Sequence, residues 1–328
     1  MPPDPKRYSV VHETHYTYES RVAVAQQLLH LTPRELPWQR RLAHRIGIDP
    51  APSETTEHLD YFGNAVCHAV LDSPHEALTV RAESEVSVGW RTGGRVPDGS
   101  PAWEDVRDSL IEATGPALLE AAEFLFESPH IRFSAGLAEY AEESFPAGRP
   151  FLEAVLDLNR RIHADFAFDD SATSVSTPLA EVLALRRGVC QDFAHLMTGC
   201  LRVLGLPGRY VSGYILTLPP PGHVKLIGAD ASHAWVSVFC PNAGWVDFDP
   251  TNELVVDDEH ITLAWGRDFS DVAPMRGVIL GGGEQELDVH VTVLPLPAPE
   301  LAQASPQSQQ QSQQQQSQGQ WQGAPEPS

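Results

Sequence analysis

The sequence predicts an α+β protein in which strands come first, helices follow and strands return. Three observations carry this. Before residue 90 apolar side chains recur at every second position, in the middle of the chain they recur three and four apart, and beyond Gly205 the period is two again.

In "SVVHETHYTYES" the set Val10, His12, Thr14, Tyr16 and Tyr18 alternates with Val11, Glu13, His15, Thr17 and Glu19. "LTVRAESEVSV" repeats the pattern with Leu78, Val80, Ala82, Val86 and Val88 on one face. Between them "YFGNAV" carries a Gly-Asn pair that signals a hairpin. Residues 1–90 therefore read as an antiparallel β-sandwich or barrel-like domain. The Gly/Pro stretch of residues 91–101, within "WRTGGRVPDGSP", reads as a linker, and residues 102–296 as a second domain. There "ALLEAAEFLFES", "AGLAEYAEESF" and "FLEAVLDLNRRIHADF" have helical spacing, and "STPLAEVLALRRG" opens on a helix-start signal and stops at Gly188. "RYVSGYIL", "HAWVSVFC", "GWVDFDP" and, after a long loop, "ELDVHVTVLPL" read as strands. Residues 297–328 are Gln/Ser/Pro low complexity with little to bury, and are expected to be disordered.

The 328 residues hold 44 acidic against 22 basic side chains, a net charge of -22, which opposes binding to nucleic-acid phosphate or anionic lipid. The first residues carry no apolar run of the kind a leader peptide needs, and no stretch has the length of a membrane span, so a soluble, cytoplasmic protein is expected. Cys67, Cys190, Cys200 and Cys240 are too scattered for a disulfide framework, and no Cys-x-x-Cys or His-Glu-x-x-His spacing offers a metal site. Free thiols, and neither metal nor cofactor, are expected.

One of those thiols is set apart by its context. Phe193, Leu196, Met197, Cys200, Leu201 and Leu204 recur at helical spacing, which puts Cys190 at the start of an amphipathic helix. Unpaired N–H groups and the positive end of the helix dipole favour negative charge there, and the Cys190 N–H can meet a developing oxyanion. Gly188 suggests a tight turn into the helix. Downstream, "ASHAWVSVFC" places His233 on one strand and "GWVDFDPT" places Asp249 on the next. A thiolate nucleophile needs a base and a group to orient it. With a five-residue loop and Val238 opposite Gly244, Asp249 lies directly across from His233, and Asp247 shares that face opposite Trp235.

"RRGVCQDFAHLMTGCLRVLGLPGRYVSGYI", "DASHAWVSVF" and "GWVDFDPTNE" resemble the catalytic core of the transglutaminase-like superfamily, in its bacterial branch related to cysteine proteases. "HETHYTYE", "LTPRELPWQ", "DYFGNAV" and "SPHEALTV" resemble the N-terminal domain that precedes this core in that branch, and the likeness extends over Arg7 to Leu294. The resemblance implies a papain-like/transglutaminase-like core, with the nucleophile at a helix N-terminus packed on an antiparallel sheet. It implies Cys190 as nucleophile, His233 as base and Asp249 as the orienting carboxylate. The family pattern leads one to expect a tyrosine where "DFAFDD" has Phe168, which leaves Gln191 and the Trp235 indole as candidates for a second oxyanion donor.

These readings converge on a thiol enzyme that transfers the acyl group of a peptide or isopeptide amide to water, as a peptidase or amidase. Transfer to an amine, as in a transglutaminase, is the first alternative, and a non-catalytic peptide-binding or assembly module the second. His195 is expected as an exposed or capping side chain. Asp257, Asp258 and Glu259 are expected to form a solvated turn, and Arg267, Asp268 and Asp271 a structural ion pair.

Overall fold

A computed structural model describes residues 3–112, 114–217 and 230–297. The tail expected from residue 297 onward lies outside the described residues, apart from Pro297. The N-terminal part contributes β1 (Lys6–Leu29), β2 (Gln39–Asp49), β3 (Glu54–Leu59), β4 (Ala65–Leu71) and β5 (His75–Val88). The middle of the chain holds α1 (Trp103–Ile111), α2 (Pro116–Ala122), α3 (Ala135–Glu142), α4 (Phe151–Asp165), β6 (Ala167–Phe168), α5 (Leu179–Leu185), β7 (Arg187–Gly188) and α6 (Cys190–Val203). Then come β8 (Gly208–Ile215), β9 (His233–Cys240), β10 (Gly244–Asp249), β11 (Leu254–Val255), β12 (His260–Gly266), α7 (Phe269–Val272), β13 (Met275–Gly281) and β14 (Gln285–Leu296).

The alternation read from "SVVHETHYTYES" is realised in β1, where Tyr8, Val10, His12, Thr14 and Tyr18 are buried. β1 is long enough to serve two sets of partners. Its first half pairs with β5 on one side and β14 on the other, and after a register shift near Val22 its second half pairs with β13 and β4. All these pairings are antiparallel. With β2 beside β5 and β3 beside β4 they give one barrel-like sheet of seven strands. Residues 275–296, which follow the helices and strands of the second part in sequence, thus return to hydrogen-bond with the first strand.

The second sheet has the order β11-β10-β9-β8-β12 and is antiparallel throughout. α6 packs on its central strands β8 and β9. The long loop expected after residue 250 holds β11, β12, α7 and β13 instead. The signal was missing because "HITLAWG" is buried at six of seven positions, so no alternation marks it as a strand. β12 is an edge strand covered by side-chain amides. Gln39 donates to the Thr262 carbonyl and accepts the Thr262 N–H, both at 2.8 Å, while Asn64 makes the same pair of bonds to Trp265 at 2.9 Å. Two wholly buried amides thereby take the place of a sixth strand. Among the described residues no helix is long and apolar enough to cross a membrane.

Gly213 marks how tightly this sheet is built. A Cβ there would collide with the Ile261 carbonyl oxygen and lie 2.6 Å from the Trp235 ring. Gly213→Ala is expected to destabilise the protein by about 3 kcal/mol, read as a fall in melting temperature of at least roughly 5 °C. An unchanged melting temperature would show that the sheet can relax around the methyl group.

Candidate active site

Cys190 is the first residue of α6 and is half-buried, whereas Cys67, Cys200 and Cys240 are buried. Burial pushes the Cys200 thiol up to about 12 and raises those of Cys67 and Cys240. The start of α6 is fixed by Asp192, which accepts the Val189 N–H at 2.9 Å and the Thr173 hydroxyl at 2.7 Å. This ties the helix end to the loop that precedes α5. Gly188 is needed for room: a Cβ would stand 2.5 Å from the Asp192 carboxylate. The left-handed residue that turns the chain here is Arg186, at φ 54°, just past α5.

His233 opens β9, and its Nε2 lies 2.8 Å from Asp249 Oδ2. The Cys190 thiol lies beside the same ring: its Sγ is 3.9 Å from the carbonyl of Ser232, the residue before His233, and it is close enough to act on the imidazole. Asp249 ends β10 with no exposed surface. Its Oδ1 accepts the Thr251 and Asn252 N–H groups at 2.9 and 3.2 Å. Its Oδ2 accepts from His233, from the Asn252 side chain at 2.7 Å and from His260 Nε2 at 3.1 Å. Burial opposes charge on both partners, yet the negative charge and hydrogen bond of Asp249, reinforced by Cys190, raise His233 to about 10. Burial likewise works against the Asp249 carboxylate, but His233 and His260 hold it well below the usual carboxylate range. The pair is therefore imidazolium and carboxylate at neutral pH.

The register of β9 and β10 differs from the one expected. Val246, not Gly244, lies opposite Val238, and Asp247 lies opposite Ser237. The cause is a tighter turn through Pro241, Asn242 and Ala243, closed by the Ala243 N–H on the Cys240 carbonyl at 3.0 Å. A shift of two residues keeps parity, so Asp249 stays on the His233 face and reaches it diagonally. Asp247 has another task. It accepts from Arg91 at 2.8 Å and from the Trp235 indole at 3.2 Å, and although burial would raise its pKa, Arg91 and Arg209 hold it low. Arg91 comes from the segment expected as a linker.

Of the other candidates, Trp235 is wholly buried with its N–H committed to Asp247, so it is not an oxyanion donor. Gln191 sits beside Cys190 in the first turn, half-buried, with its amide 3.4 Å from the Val175 carbonyl. Phe168 is 62% exposed next to Gly188, to which β6 pairs. His195 is buried, accepts the Phe269 N–H at 3.1 Å, and is pushed down to about 3 by burial. Arg267 and Asp271 form an ion pair at 2.8 Å, while Asp268 caps α7. The turn from Asp257 to Glu259, expected to be solvated, is held by other residues: the Lys6 side chain contacts Asp258 and Glu259, and the Arg91 backbone N–H donates to Asp257.

Sequence reasoning missed Asn252 and His260. Asn252 follows Asp249 by three residues in "DPTN", a position that lets a side chain return to the carboxylate. His260 stands at the head of the unrecognised strand β12. Ligand atoms of His233, Asp249 and His260 lie within 4.8 Å of one another, a spacing that could hold a metal ion. With three N–H donors on Oδ2 and a proton on His233, the cluster is satisfied by hydrogen bonds alone.

Comparison with known proteins bears on the family and the fold. Residues 8–87 match the bacterial transglutaminase-like N-terminal region, and residues 139–250, which include Cys190, His233 and Asp249, match the transglutaminase-like superfamily. An uncharacterized Mycobacterium tuberculosis protein is 41% identical over 293 residues, 87% of this chain and 91% of its own. A Pseudomonas aeruginosa protein-glutamine gamma-glutamyltransferase is 39% identical over 100 residues, 30% of this chain and 15% of its own. The solved "Putative Cysteine Protease from Cytophaga hutchinsonii" superposes with a TM-score of 0.69 at 19% identity, over 91% of this chain and 93% of that one, and shares the fold. The chain belongs to the transglutaminase-like superfamily, with the bacterial transglutaminase-like N-terminal region ahead of its core.

Proposed function

We propose that the protein is a cysteine-dependent acyl-transfer enzyme acting on a peptide or isopeptide amide, with Cys190 as nucleophile, His233 as acid and base, and Asp249 as its orienting carboxylate. One observation carries the reading: a half-buried thiol at a helix start lies beside an imidazole whose Nε2 is 2.8 Å from a buried carboxylate. The Cys190 sulfur attacks the carbonyl carbon, and the C=O electron pair moves onto oxygen as the C–S bond forms. The Cys190 N–H, in a turn whose donors have no intrahelical acceptor, stabilises that oxyanion. The Gln191 amide, only weakly engaged, is the second donor. As the tetrahedral adduct collapses, the amine leaves with the proton of the imidazolium. Water, deprotonated by His233, then attacks the thioester, and the C–S bond breaks.

An amine in place of water would make the same site a transglutaminase. The stretch of 100 residues shared with a gamma-glutamyltransferase favours that second outcome, so amide turnover should be followed with and without a primary amine, by mass. Release of the free acid supports hydrolysis, and an amine adduct supports transfer. No product from any peptide or isopeptide substrate would leave a binding module.

The charge states give a pH dependence. His233 must be protonated to release the amine, and its pKa is raised to about 10. Activity is expected to persist as pH rises through the usual histidine range and to be lost as pH passes about 10. In Asp249→Asn this alkaline limb should move down, and turnover should fall by roughly a thousandfold or more. A limb that stays in place would show that Asp249 does not set the base.

Asp247→Asn tests the neighbouring carboxylate. Arg91 and Asp247 are both largely buried, so breaking their pair should cost about 3 kcal/mol, seen in melting, while the alkylation rate of Cys190 changes less than roughly tenfold. The reverse pattern would mean that Asp247 and not Asp249 serves His233.

A further inference from the structure

The catalytic carboxylate is held by a residue with no part in the chemistry just described. We propose that His260 is a positioning residue, and that the N-terminal strand β1 sets it through the turn from Asp257 to Glu259. This rests on the acyl-transfer reading and gives the N-terminal domain a role in it.

His260 is 2% exposed, and its ring stands edge-on to Trp235 with centroids 5.2 Å apart, so the imidazole cannot swing. Its Nε2 lies 3.1 Å from Asp249 Oδ2. Burial lowers its pKa despite Asp249, so the ring is neutral, and the nitrogen facing an acceptor-only carboxylate must carry the proton. His260 is thus a fixed neutral donor. Asp249 Oδ1 is pinned by two backbone N–H groups, and the place of Oδ2 is left to side chains. Without His260 the carboxylate is free to turn toward Asn252, away from the line of His233 Nε2.

The three residues before His260 are anchored by the N-terminal part. Tyr8, wholly buried on β1, donates its hydroxyl to the Asp258 carbonyl at 2.9 Å. Lys6 Nζ contacts both Asp258 and Glu259 at 2.9 Å, and the Arg91 N–H reaches Asp257 at 2.6 Å. Lys6 is nearly half exposed and contributes little through solvent screening, which leaves the Tyr8 hydroxyl as the firm link. A chain of direct contacts runs from β1 through this turn to His260 and Asp249.

The test compares His260→Phe, which keeps ring volume but removes the donor, with His260→Gln, which restores an N–H. Both are read by iodoacetamide alkylation of Cys190 at about pH 6, where ordinary thiols are protonated, and by amide turnover. His260→Phe should lower the alkylation rate and kcat by roughly tenfold or more with KM unchanged, and His260→Gln should recover to within about threefold of wild type. Tyr8→Phe should slow alkylation by roughly two- to fivefold. A His260→Phe rate within about twofold of wild type, or a glutamine variant as slow as the phenylalanine one, overturns the proposal. Should His260→Phe lose its melting transition, Tyr8→Phe decides, and a rate equal to wild type overturns it. Wild-type protein in which Cys190 reacts no faster than the other thiols would sink the acyl-transfer reading itself, and is seen before any variant is made.

Discussion

A carboxylate with no exposed surface is the constraint around which the second sheet is arranged. An ionised Asp249 would cost several kcal/mol to bury alone, and it persists because five N–H groups meet its two oxygens. Those donors come from β9, from the turn after β10 and from β12. The demand of one side chain therefore fixes the relative place of three segments. It also accounts for the charge of His233: with so many donors Asp249 stays ionised, and its field outweighs the desolvation of the imidazolium.

The same sheet carries further buried charge, satisfied by a different device. Arg209, 3% exposed, has the Trp245 ring 3.9 Å from its guanidinium carbon and the Trp265 ring at 3.8 Å, and Arg34 stands 3.4 Å over Trp265. Stacking on tryptophan compensates part of the lost hydration. Asp247 supplies the countercharge between Arg91 and Arg209. Together with the amides of Gln39 and Asn64 on β12, these contacts join the N-terminal half to the sheet that bears His233. The apolar core is shared as well, since Tyr8 and Val10 of β1 pack in one cluster with Phe193, Leu196 and Met197 of α6.

How much of this was legible in the sequence depends on what each element buries. β1 and β5 face the core on one side, so their alternation could be read directly. α6 announced itself by spacing and put Cys190 at its start. β12 hides both faces and shows no period, and β2 is so polar that its alternation is lost among arginines. The return of β13 and β14 to β1 is a long-range pairing that no local pattern encodes. Gly188 stood out as the residue of a tight turn into the helix, and what forbids a side chain there is its neighbour Asp192, which no local pattern reveals.

The three residues grouped around Cys190 show which kind of inference survives an error in detail. Register was misjudged by two residues, because a three-residue turn replaced a five-residue loop, yet Asp249 was still placed on the His233 face. Parity is a property of the strands themselves, whereas register is decided by the turn, and a slip of two preserves the first while altering the second. Parity alone could not separate Asp249 from Asp247, since both occupy one face. Their surroundings do: Asp247 meets two arginines and an indole, and Asp249 meets two histidines and an asparagine. A carboxylate paired with guanidinium groups, which do not titrate near neutral pH, has no partner with which to exchange a proton. One paired with imidazole can tune a proton, and that chemical difference distinguishes the two aspartates.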